Sequence, residues 1–357
     1  MFKSITIKIG SNVLTNTDGT LHQERVSHLV DQIASLHKKN KKIILVSSGA
    51  VAAGRTMVKL NKKTDTVSSR QLLSSVGQVK LLNTYSALFE KHGIQCAQVL
   101  VTKQDFRSRE HYLNMKNCLS TLIENGIVPI INENDAVSVT ALMFTDNDEL
   151  AGLLSSMMNS EALIILSNVN GIYDGDPKDK GAKVIRTVDS TNADLSAFIS
   201  TTKSNFGRGG MLTKCHIAQK TAISGTSVHI ANGTIPNILV DLNNSADTVE
   251  HTRFLPGEKY PAIKKWIAYS ESFTNAEVII NKGAFEALNS SKATSLLLAG
   301  VIKINGNFKK GDLIKIISED GKDVGIGKAQ YDKTKAIEHL SDSKYQALIH
   351  YDYLYIR

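Results

Sequence analysis

Cysteine, proline and tryptophan are scarce in this chain, and the cysteines already narrow the class of protein. The 357 residues include three cysteines, five prolines and one tryptophan. Cys96, Cys118 and Cys215 are odd in number and lack the spacing of metal ligands, so the sequence predicts neither a disulfide framework nor a zinc site. We interpret all three as small buried apolar residues of a protein in the reducing cytoplasm.

Long hydrophobic runs are missing as well. No uninterrupted apolar segment approaches the roughly 20 residues that a membrane-spanning helix needs. Residues 1–10 have the pattern of a first strand and lack the features of a signal peptide. We therefore expect a soluble, cytoplasmic chain without a membrane partner, and its length predicts two domains.

Two common nucleotide-binding motifs do not occur. The sequence contains no G-x-x-x-x-G-K-[ST] and no G-x-G-x-x-G, which argues against a Walker-type NTPase and against a nicotinamide enzyme. The net charge of +8 still suits an anionic ligand, either nucleotide phosphates or nucleic acid. Because the basic residues are spread out, apart from a lysine-rich turn at 38–42, charge alone does not indicate nucleic acid.

Strand and helix patterns alternate through the first 240 residues. Apolar runs predict strands at 4–9, 42–46, 95–101, 127–131, 161–166, 228–231 and 238–240. Helical spacing occupies 21–36, 69–92, 109–124, 150–158 and 212–224. This alternation predicts an α/β fold in which a mainly parallel sheet lies between two layers of helices, giving three layers.

The composition changes after residue 243. A stretch without clear periodicity contains Pro256, Gly257 and Pro261, and short β-like runs broken by Gly and Asn follow it. We predict a catalytic domain over 1–250, a linker over 251–265 and a small, mostly-β domain over 266–357.

A dense acidic and amide segment follows the fourth predicted strand. Its polar residues are Asn132, Glu133, Asn134, Asp135, Asp146, Asn147, Asp148 and Glu149. The second half opens directly into a helical pattern that Asp146 or Asn147 could cap. The carboxyl ends of strands and the N-termini of helices are where open α/β sheets bind ligands. Taken alone, a solvated acidic loop explains the segment equally well.

Cationic and glycine-rich pieces elsewhere complement this acidic segment. Lys8 lies near the end of the first apolar strand, just before Gly10, and lysines in such strands are rare unless they are paired or contact a ligand. Gly49 follows the second strand. Residues 207–214 (GRGGMLTK) place glycines before a helix, a typical anion site that Lys214 could complete.

Together these pieces have the composition that phosphoryl transfer requires. Lysines and metal must neutralise the transferring group, and both substrates must be held in line. Asp148 could hold Lys8 and Lys214 in place by charge pairing, and the other polar residues of the segment could bind an amino-bearing substrate.

At these segments the chain resembles the glutamate 5-kinases, a group of the amino acid kinase family that often carries a C-terminal PUA domain. The matching segments are KIGSNVLT, VSSGAVAAGR, QLLSSVGQ, PIINENDAV, DNDELA, NGIYDGDP and GRGGMLTK, with KKWI and GNFKKGD in the C-terminal region. The resemblance implies phosphorylation of the side-chain carboxylate of L-glutamate by ATP and Mg²⁺, as the first step of proline synthesis.

The same resemblance implies roles for single residues. Lys8 and Lys214 would stabilise the transferring phosphoryl group, and Asp148 would organise them. Glutamate would be bound by Ser48, Gly49, Asn132, Asp135 and Asn147. ATP would be bound by Lys8, Gly10, Ser167, Asn168, Arg208, Gly209, Gly210, Met211, Leu212, Thr213 and Lys214. No general base is needed because the attacking carboxylate is already ionised. Mg²⁺ would be held mainly by phosphates and water, so no protein ligand is assigned.

The chain departs from the family pattern at the nucleotide site. Ser167 and Asn168 stand where Thr-Asp is usual, Arg208 stands where Thr is common, and Leu212 where Ser is common. These departures affect individual nucleotide contacts rather than the reaction. Asn168 keeps hydrogen-bonding capacity, and Arg208 would either gain a phosphate contact or stay solvated.

Three alternatives remain open at this point. A related kinase could act on another acyl substrate, a regulatory pseudokinase would need broken catalytic positions, and PUA domains elsewhere bind RNA. The C-terminal region lacks a basic cluster with interleaved aromatics, so we expect no nucleic acid partner. The resemblance further implies inhibition by proline at an overlapping site, a homo-dimer or tetramer, and association with glutamate-5-semialdehyde dehydrogenase, the reductase that consumes the labile product.

Overall fold

The computed structural model divides the chain into two compact units, Met1–Lys259 and Tyr260–Arg357. It describes residues 1–59, 65–138, 144, 146–177, 179, 181–190, 210–270, 274, 276–290, 293–340, 342 and 344–356. Within these residues, no helix is both long and apolar enough to span a bilayer.

The first unit is built on an eight-stranded sheet. Its strands are β1 (Ser4–Ile9), β2 (Lys42–Ser47), β3 (Cys96–Val101), β4 (Val128–Glu133), β5 (Ala162–Ser167), β6 (Thr187–Asp189), β7 (Ser227–Asn232) and β8 (Thr252–Leu255). They lie in the order β3-β4-β2-β1-β5-β7-β8-β6. Every neighbouring pair is parallel except β7 and β8.

Helices cover both faces of this sheet. They are α1 (Ser11–Leu14), α2 (Gln23–Lys38), α3 (Ala50–Arg55), α4 (Thr66–Glu90), α5 (Arg109–Glu124), α6 (Asn147–Met158), α7 (Met211–Ile223) and α8 (Ile238–Ser245). One face of β1, carrying Ile5, Ile7 and Ile9, packs into a core with α2, α4 and α8. The alternate side chains of β1, including Lys8, point to the opposite face, where α6 packs on β1 and against α7.

Helices α3 and α4 approach each other unusually closely. A Cβ added at Gly77 would overlap the carbonyl oxygen of Ala50, and one at Gly54 would overlap that of Leu73. Glycine at these two positions is therefore a steric requirement, which explains the small-residue segment AVAAG and the glycine of SSVGQ. The contact fixes the start of α3, directly after Ser48 and Gly49.

The second unit is small and mostly β. Its elements are α9 (Ala262–Tyr269), β9 (Ala276–Ile280), α10 (Lys282–Leu288), β10 (Val301–Gly306), β11 (Leu313–Ser318), β12 (Asp323–Ala329), α11 (Lys333–Glu338) and β13 (Ile349–Ile356). The five strands lie in the order β10-β9-β11-β12-β13, and only β9 and β11 are parallel. A separate core fills this unit.

The predicted fold class is confirmed, and three local expectations were wrong. Residues 238–240 begin α8 rather than forming a strand, because a short apolar run fits a buried helix turn as well. The stretch 251–265, expected to be irregular, contains β8 and the start of α9. Of the three cysteines, Cys215 is buried and Cys96 half-buried, but Cys118 is exposed on α5.

Candidate active site

The predicted site residues gather at one edge of the large sheet. Strands β4, β2, β1 and β5 are parallel neighbours, so their carboxyl ends meet. Lys8, Ser48, Asn132 and Ser167 all lie at these ends. Helix α6 begins beside them, capped by Asp146, whose carboxylate accepts from the backbone N–H groups of the first turn.

A buried carboxylate links two lysines at the centre of this edge. Lys8 Nζ lies 2.6 Å from Asp148 Oδ1, and Lys214 Nζ lies 2.5 Å from Asp148 Oδ2. The side chains are 6% (Lys8), 15% (Lys214) and 0% (Asp148) exposed. Strand β1, the first turn of α6 and the first turn of α7 thus supply one charge each. The predicted catalytic set is brought together.

The ionisation of this cluster follows from burial and pairing. Burial opposes ionisation of Asp148, but Lys8 and Lys214 outweigh it and lower the pKa of the carboxyl to about 2. Burial likewise opposes the charge on Lys214, and Asp148 reverses the effect, so the pKa of Lys214 is raised. Lys214 can therefore present an ammonium group to an anion, and Asp148 pairs with both lysines while no anion is bound.

A second carboxylate beside the cluster is not compensated in this way. Burial raises the pKa of Asp146 to about 6, and repulsion from Asp148 adds to the shift. The Oδ2 atom of Asp146 is buried and has no hydrogen-bond partner among the described residues. The other oxygen, Oδ1, accepts the capping hydrogen bonds of α6, so Oδ2 is available to bind a cation.

Polar side chains form a connected chain next to the lysines. Asn147 Nδ2 donates to Ser48 Oγ at 2.9 Å and to Asn132 Oδ1 at 3.0 Å. Asn132 Nδ2 donates in turn to Gln78 Oε1 on α4, at 3.0 Å. Three residues predicted to bind substrate therefore touch one another, and Gln78 supports them from outside the predicted set.

Acidic groups and an arginine follow at the end of β4. Arg70 Nη2 on α4 lies 2.7 Å from Asp135 Oδ1 and 3.8 Å from Glu133 Oε2. Glu133 Oε1 also accepts from the backbone N–H of Phe144 at 2.9 Å. Burial raises the pKa of Glu133 to about 7, with Asp135 adding to the shift and Arg70 opposing it. Asp135, expected among the substrate contacts, thus stands beside a cation.

The two predicted glycines serve the edge differently. Gly49 adopts φ +108° at the N-cap of α3, a left-handed conformation that favours glycine. Gly10 has an ordinary φ, but a Cβ there would lie 3.0 Å from the carbonyl oxygen of Leu166 and 3.5 Å from Lys8 Nζ. A larger residue at position 10 would crowd the lysine amine.

The remaining predicted nucleotide residues divide between two places. Ser167 ends β5 in a buried position, and Asn168 follows it exposed, with Ser167 Oγ 3.5 Å from Asn168 Oδ1. Gly210 is the N-cap of α7 and provides no side-chain cap, while Met211, Leu212 and Thr213 fill the first turn before Lys214. Arg208 and Gly209 lie outside the described residues.

Comparison with known sequences identifies the two units. The amino acid kinase family model matches residues 3–232, and the PUA domain model matches residues 276–347. A glutamate 5-kinase of Bacteroides thetaiotaomicron is 52% identical over 99% of both chains. A glutamate 5-kinase of Chlorobaculum tepidum is 46% identical over 100% of this chain and 98% of its own. This chain belongs to the glutamate 5-kinases of the amino acid kinase family.

Solved structures agree with the fold of this family. Carbamate kinase from Giardia lamblia bound to AMP-PNP has a TM-score of 0.51 at 17% identity and covers 71% of this chain and 99% of its own. At this identity the likeness concerns the fold alone.

Two residues of this glutamate 5-kinase family member lie in the site although the sequence did not single them out. Arg70 and Gln78 both belong to α4, and both contact polar residues at the end of β4. Gln78 ends the segment QLLSSVGQ, so a signal existed. Arg70 directly precedes that segment and lies in a run of small and apolar residues, but its partners are more than 60 positions away.

Proposed function

We propose that this protein transfers the γ-phosphoryl group of ATP to the side-chain carboxylate of L-glutamate, giving γ-glutamyl phosphate and ADP. The observation that carries the proposal is the buried Lys8–Asp148–Lys214 cluster at the carboxyl edge of the sheet. Two ammonium groups held side by side by one carboxylate suit a group that carries charge on several oxygens during transfer. The glutamate 5-kinase relatives supply the identity of the acceptor.

The polar chain next to the lysines suits the acceptor. Ser48, Asn132 and Asn147 present hydroxyl and amide groups, and Asp135 supplies a carboxylate for the substrate ammonium. Gly49 has no side chain, so the backbone at this position can approach the substrate closely. The side-chain carboxylate would then extend toward Lys8 and Lys214, which keep it near the phosphoryl group.

The nucleotide would bind where α7 begins. The uncapped N-terminus of α7 at Gly210 and the lysine in its first turn fit a polyphosphate. Residues 208–214, together with Gly10, Ser167 and Asn168, form the proposed ATP site. An Mg²⁺ ion would fit the same place, because the Oδ2 atom of Asp146 is buried without a hydrogen-bond partner among the described residues and Mg²⁺ prefers oxygen ligands. When bound, the metal would neutralise phosphate charge.

The transfer needs orientation and charge rather than proton removal. An oxygen of the ionised acceptor carboxylate attacks the γ-phosphorus, and the bond from that phosphorus to the β,γ-bridging oxygen breaks. Lys8 and Lys214 supply positive charge to the transferring group, and Asp148 pairs with both of them before the anions arrive. The departing oxygen leaves on ADP as part of its phosphate, so no side chain has to donate a proton.

The test is glutamate-dependent formation of an acyl phosphate. Purified protein with Mg-ATP and L-glutamate is assayed for ADP release and, with hydroxylamine as trap, for the hydroxamate. Lys214→Ala and Asp148→Ala should both lose hydroxamate formation, whereas Lys91→Ala, an exposed lysine at the end of α4, should retain it. Turnover of aspartate or acetylglutamate in place of glutamate would refute the assigned acceptor.

Finer features of the proposal rest on the resemblance to the glutamate 5-kinases. We expect the enzyme to work in the cytoplasm in proline synthesis, as a homo-dimer or tetramer, and to associate with glutamate-5-semialdehyde dehydrogenase. Proline carries the same α-carboxylate and amine as glutamate, so it should compete for the site around residues 132–148. Proline inhibition that glutamate cannot relieve would contradict this overlap.

A further inference from the structure

Arg70 has no role in the phosphoryl transfer described above, yet it lies within the acidic part of the site. Its guanidinium is 2.7 Å from Asp135 and 3.8 Å from Glu133, and its side chain is 32% exposed. These are its ion pairs within the described part of the chain. Both contacts use one nitrogen, Nη2, whereas a guanidinium carries five N–H donors in a planar fork. Donors therefore remain for a further anion.

The charged and polar groups of the site follow one another in a definite order. Arg70 and Asp135 form one end, the amides of Asn132 and Asn147 form the middle, and the lysine pair around Asp148 forms the other end. One hydrogen bond and the course of the chain connect these groups. Asn147 Nδ2 donates to Asn132 Oδ1, Asn132 directly precedes the segment 133–135, and Asn147 directly precedes Asp148. A ligand that spans the edge would meet a cation, an anion, neutral dipoles and then cations.

An L-glutamate molecule carries the complementary order of groups. Its α-carboxylate and α-ammonium lie at one end, its methylene groups in the middle, and its side-chain carboxylate at the other end. With the reacting carboxylate at the lysines, the α-carbon lies at the Arg70 end. Asp135 would then take the ammonium, and the adjacent α-carboxylate needs a donor of its own. Arg70 is the cationic side chain paired with Asp135 in the described structure.

We propose that Arg70 determines substrate specificity by binding the α-carboxylate of the amino acid, while Asp135 binds its α-ammonium. This inference rests on the proposed glutamate 5-kinase activity and adds to it a residue that selects an unmodified α-amino acid head. The same pairing excludes acceptors whose α-carboxylate is an amide or is absent, because they would leave the guanidinium half-satisfied in a partly buried place.

The experiment compares two acceptors that differ only at the α-carboxylate. L-Glutamate and L-isoglutamine, its α-carboxamide, share the ammonium and the side-chain carboxylate. The kcat/KM of hydroxamate formation is measured for both acceptors with the wild type, Arg70→Gln and Arg70→Lys. If isoglutamine turns over too slowly, its inhibition constant in competition with glutamate is compared among the three proteins instead. The wild-type preference for glutamate should fall about 10- to 100-fold in Arg70→Gln, the range of a charge-assisted hydrogen bond. Arg70→Lys should keep part of the preference, since it retains the charge without the fork.

Gln71→Ala is the matched control. Gln71 is the next residue of α4, and its Nε2 donates to the backbone carbonyl of Ala136 at 3.0 Å, so it anchors the same turn without a charge. Its loss should weaken both acceptors by the same factor and leave their ratio unchanged. An unchanged ratio in Arg70→Gln would show that Arg70 only supports the turn and would overturn the inference. A wild type that forms no hydroxamate from glutamate would instead overturn the proposed function, and this inference with it.

Discussion

Replacing Asp148 with Asn tests the central cluster most directly. The amide has nearly the same shape as the carboxylate, but it leaves Lys8 and Lys214 as neighbouring buried cations without the carboxylate that pairs with both of them. Removing one partner from a buried ion pair costs about 3–5 kcal/mol of unfolding free energy. For a unit of this size, each kcal/mol shifts Tm by roughly 2–4 °C, so Tm should fall by about 6–20 °C.

The effect on activity should be large as well. The amide cannot hold both ammonium groups, and a displacement of about 1 Å in a reacting group can cost about 100-fold in rate. Asp148→Asn should therefore lose about 100-fold or more in kcat for hydroxamate formation, measured where thermal scans show that the variant is still folded. Asp18→Asn, which makes the same change at an exposed loop carboxylate, should match the wild type in both assays.

The pH dependence separates this account from simple loss of a packing contact. Because the folded pKa of Asp148 is about 2, below its value of 3.8 in an unpaired state, its stabilising effect is present above pH 4 and is lost as pH falls toward 2. The difference in stability between wild type and Asp148→Asn should thus shrink below pH 4. An Asp148→Asn protein with wild-type Tm and activity would refute the reasoning.

Three further outcomes can be measured by thermal or urea unfolding. Gly77→Ala should separate α3 from α4, because its Cβ would overlap the carbonyl oxygen of Ala50, and should lower the free energy of unfolding by about 1–3 kcal/mol. Gly181→Ala is the control, because a Cβ there has no neighbour within 4 Å and the change should be neutral. Equal stabilities of the two variants would contradict the steric argument. In the wild type, the free energy of unfolding should fall by about 3 kcal/mol as pH rises from 4.5 through 7, because the pKa of Glu133 is raised to about 7 in the folded protein. Glu133→Gln should abolish this fall, and parallel pH curves for the two proteins would refute the argument. Burial lowers the pKa of His229 to about 3, so between pH 6.5 and 3 this histidine binds a proton in the unfolded state but not in the folded state, and the free energy of unfolding falls as pH falls. His229→Gln should therefore make the protein less sensitive to acid in this range. An unchanged acid transition would contradict this argument.

The sequence was sufficient for the parts of the site that lie at predictable places in the fold. Alternating apolar strands and helices imply a parallel sheet, and the carboxyl ends of its central strands must meet. Lys8, Ser48 and Asn132 therefore had to be close to one another, even though up to 124 positions separate them. The acidic segment and the glycine-rich segment 207–214 pointed to Asp148 and Lys214 by charge, and the resemblance to the glutamate 5-kinases implied their roles. The structure places the two side chains in contact.

The sequence was insufficient where tertiary packing sets the partner. Arg70 lies on a long helix with no charged neighbour in the motif that follows it, and its pairing with Asp135 depends on how α4 lies beside β4. The raised pKa of Asp146 depends on the burial of its side chain. An acidic segment usually indicates a solvated loop, so the sequence alone did not predict this burial. Residues 238–240 show the same limit for secondary structure, because three apolar residues carry no period.

The charges at the described edge of the sheet predict that a ligand which brings a cation binds there more readily than an anion alone. The cationic side chains are Lys8, Lys214 and Arg70, and the acidic ones are Asp148, Asp146, Glu133 and Asp135. If all were ionised, this set would carry one negative charge in excess, and the raised pKa values of Asp146 and Glu133 show that burial resists that state. Two anionic substrates would worsen the imbalance by themselves. The ammonium of an amino acid bound at Asp135, close to Glu133, and a metal ion beside Asp146 would each relieve it, so binding of either should release a proton near neutral pH. A free γ-carboxylic acid without an amine offers no such relief, which makes the ammonium as important to acceptance as the carboxylate that reacts.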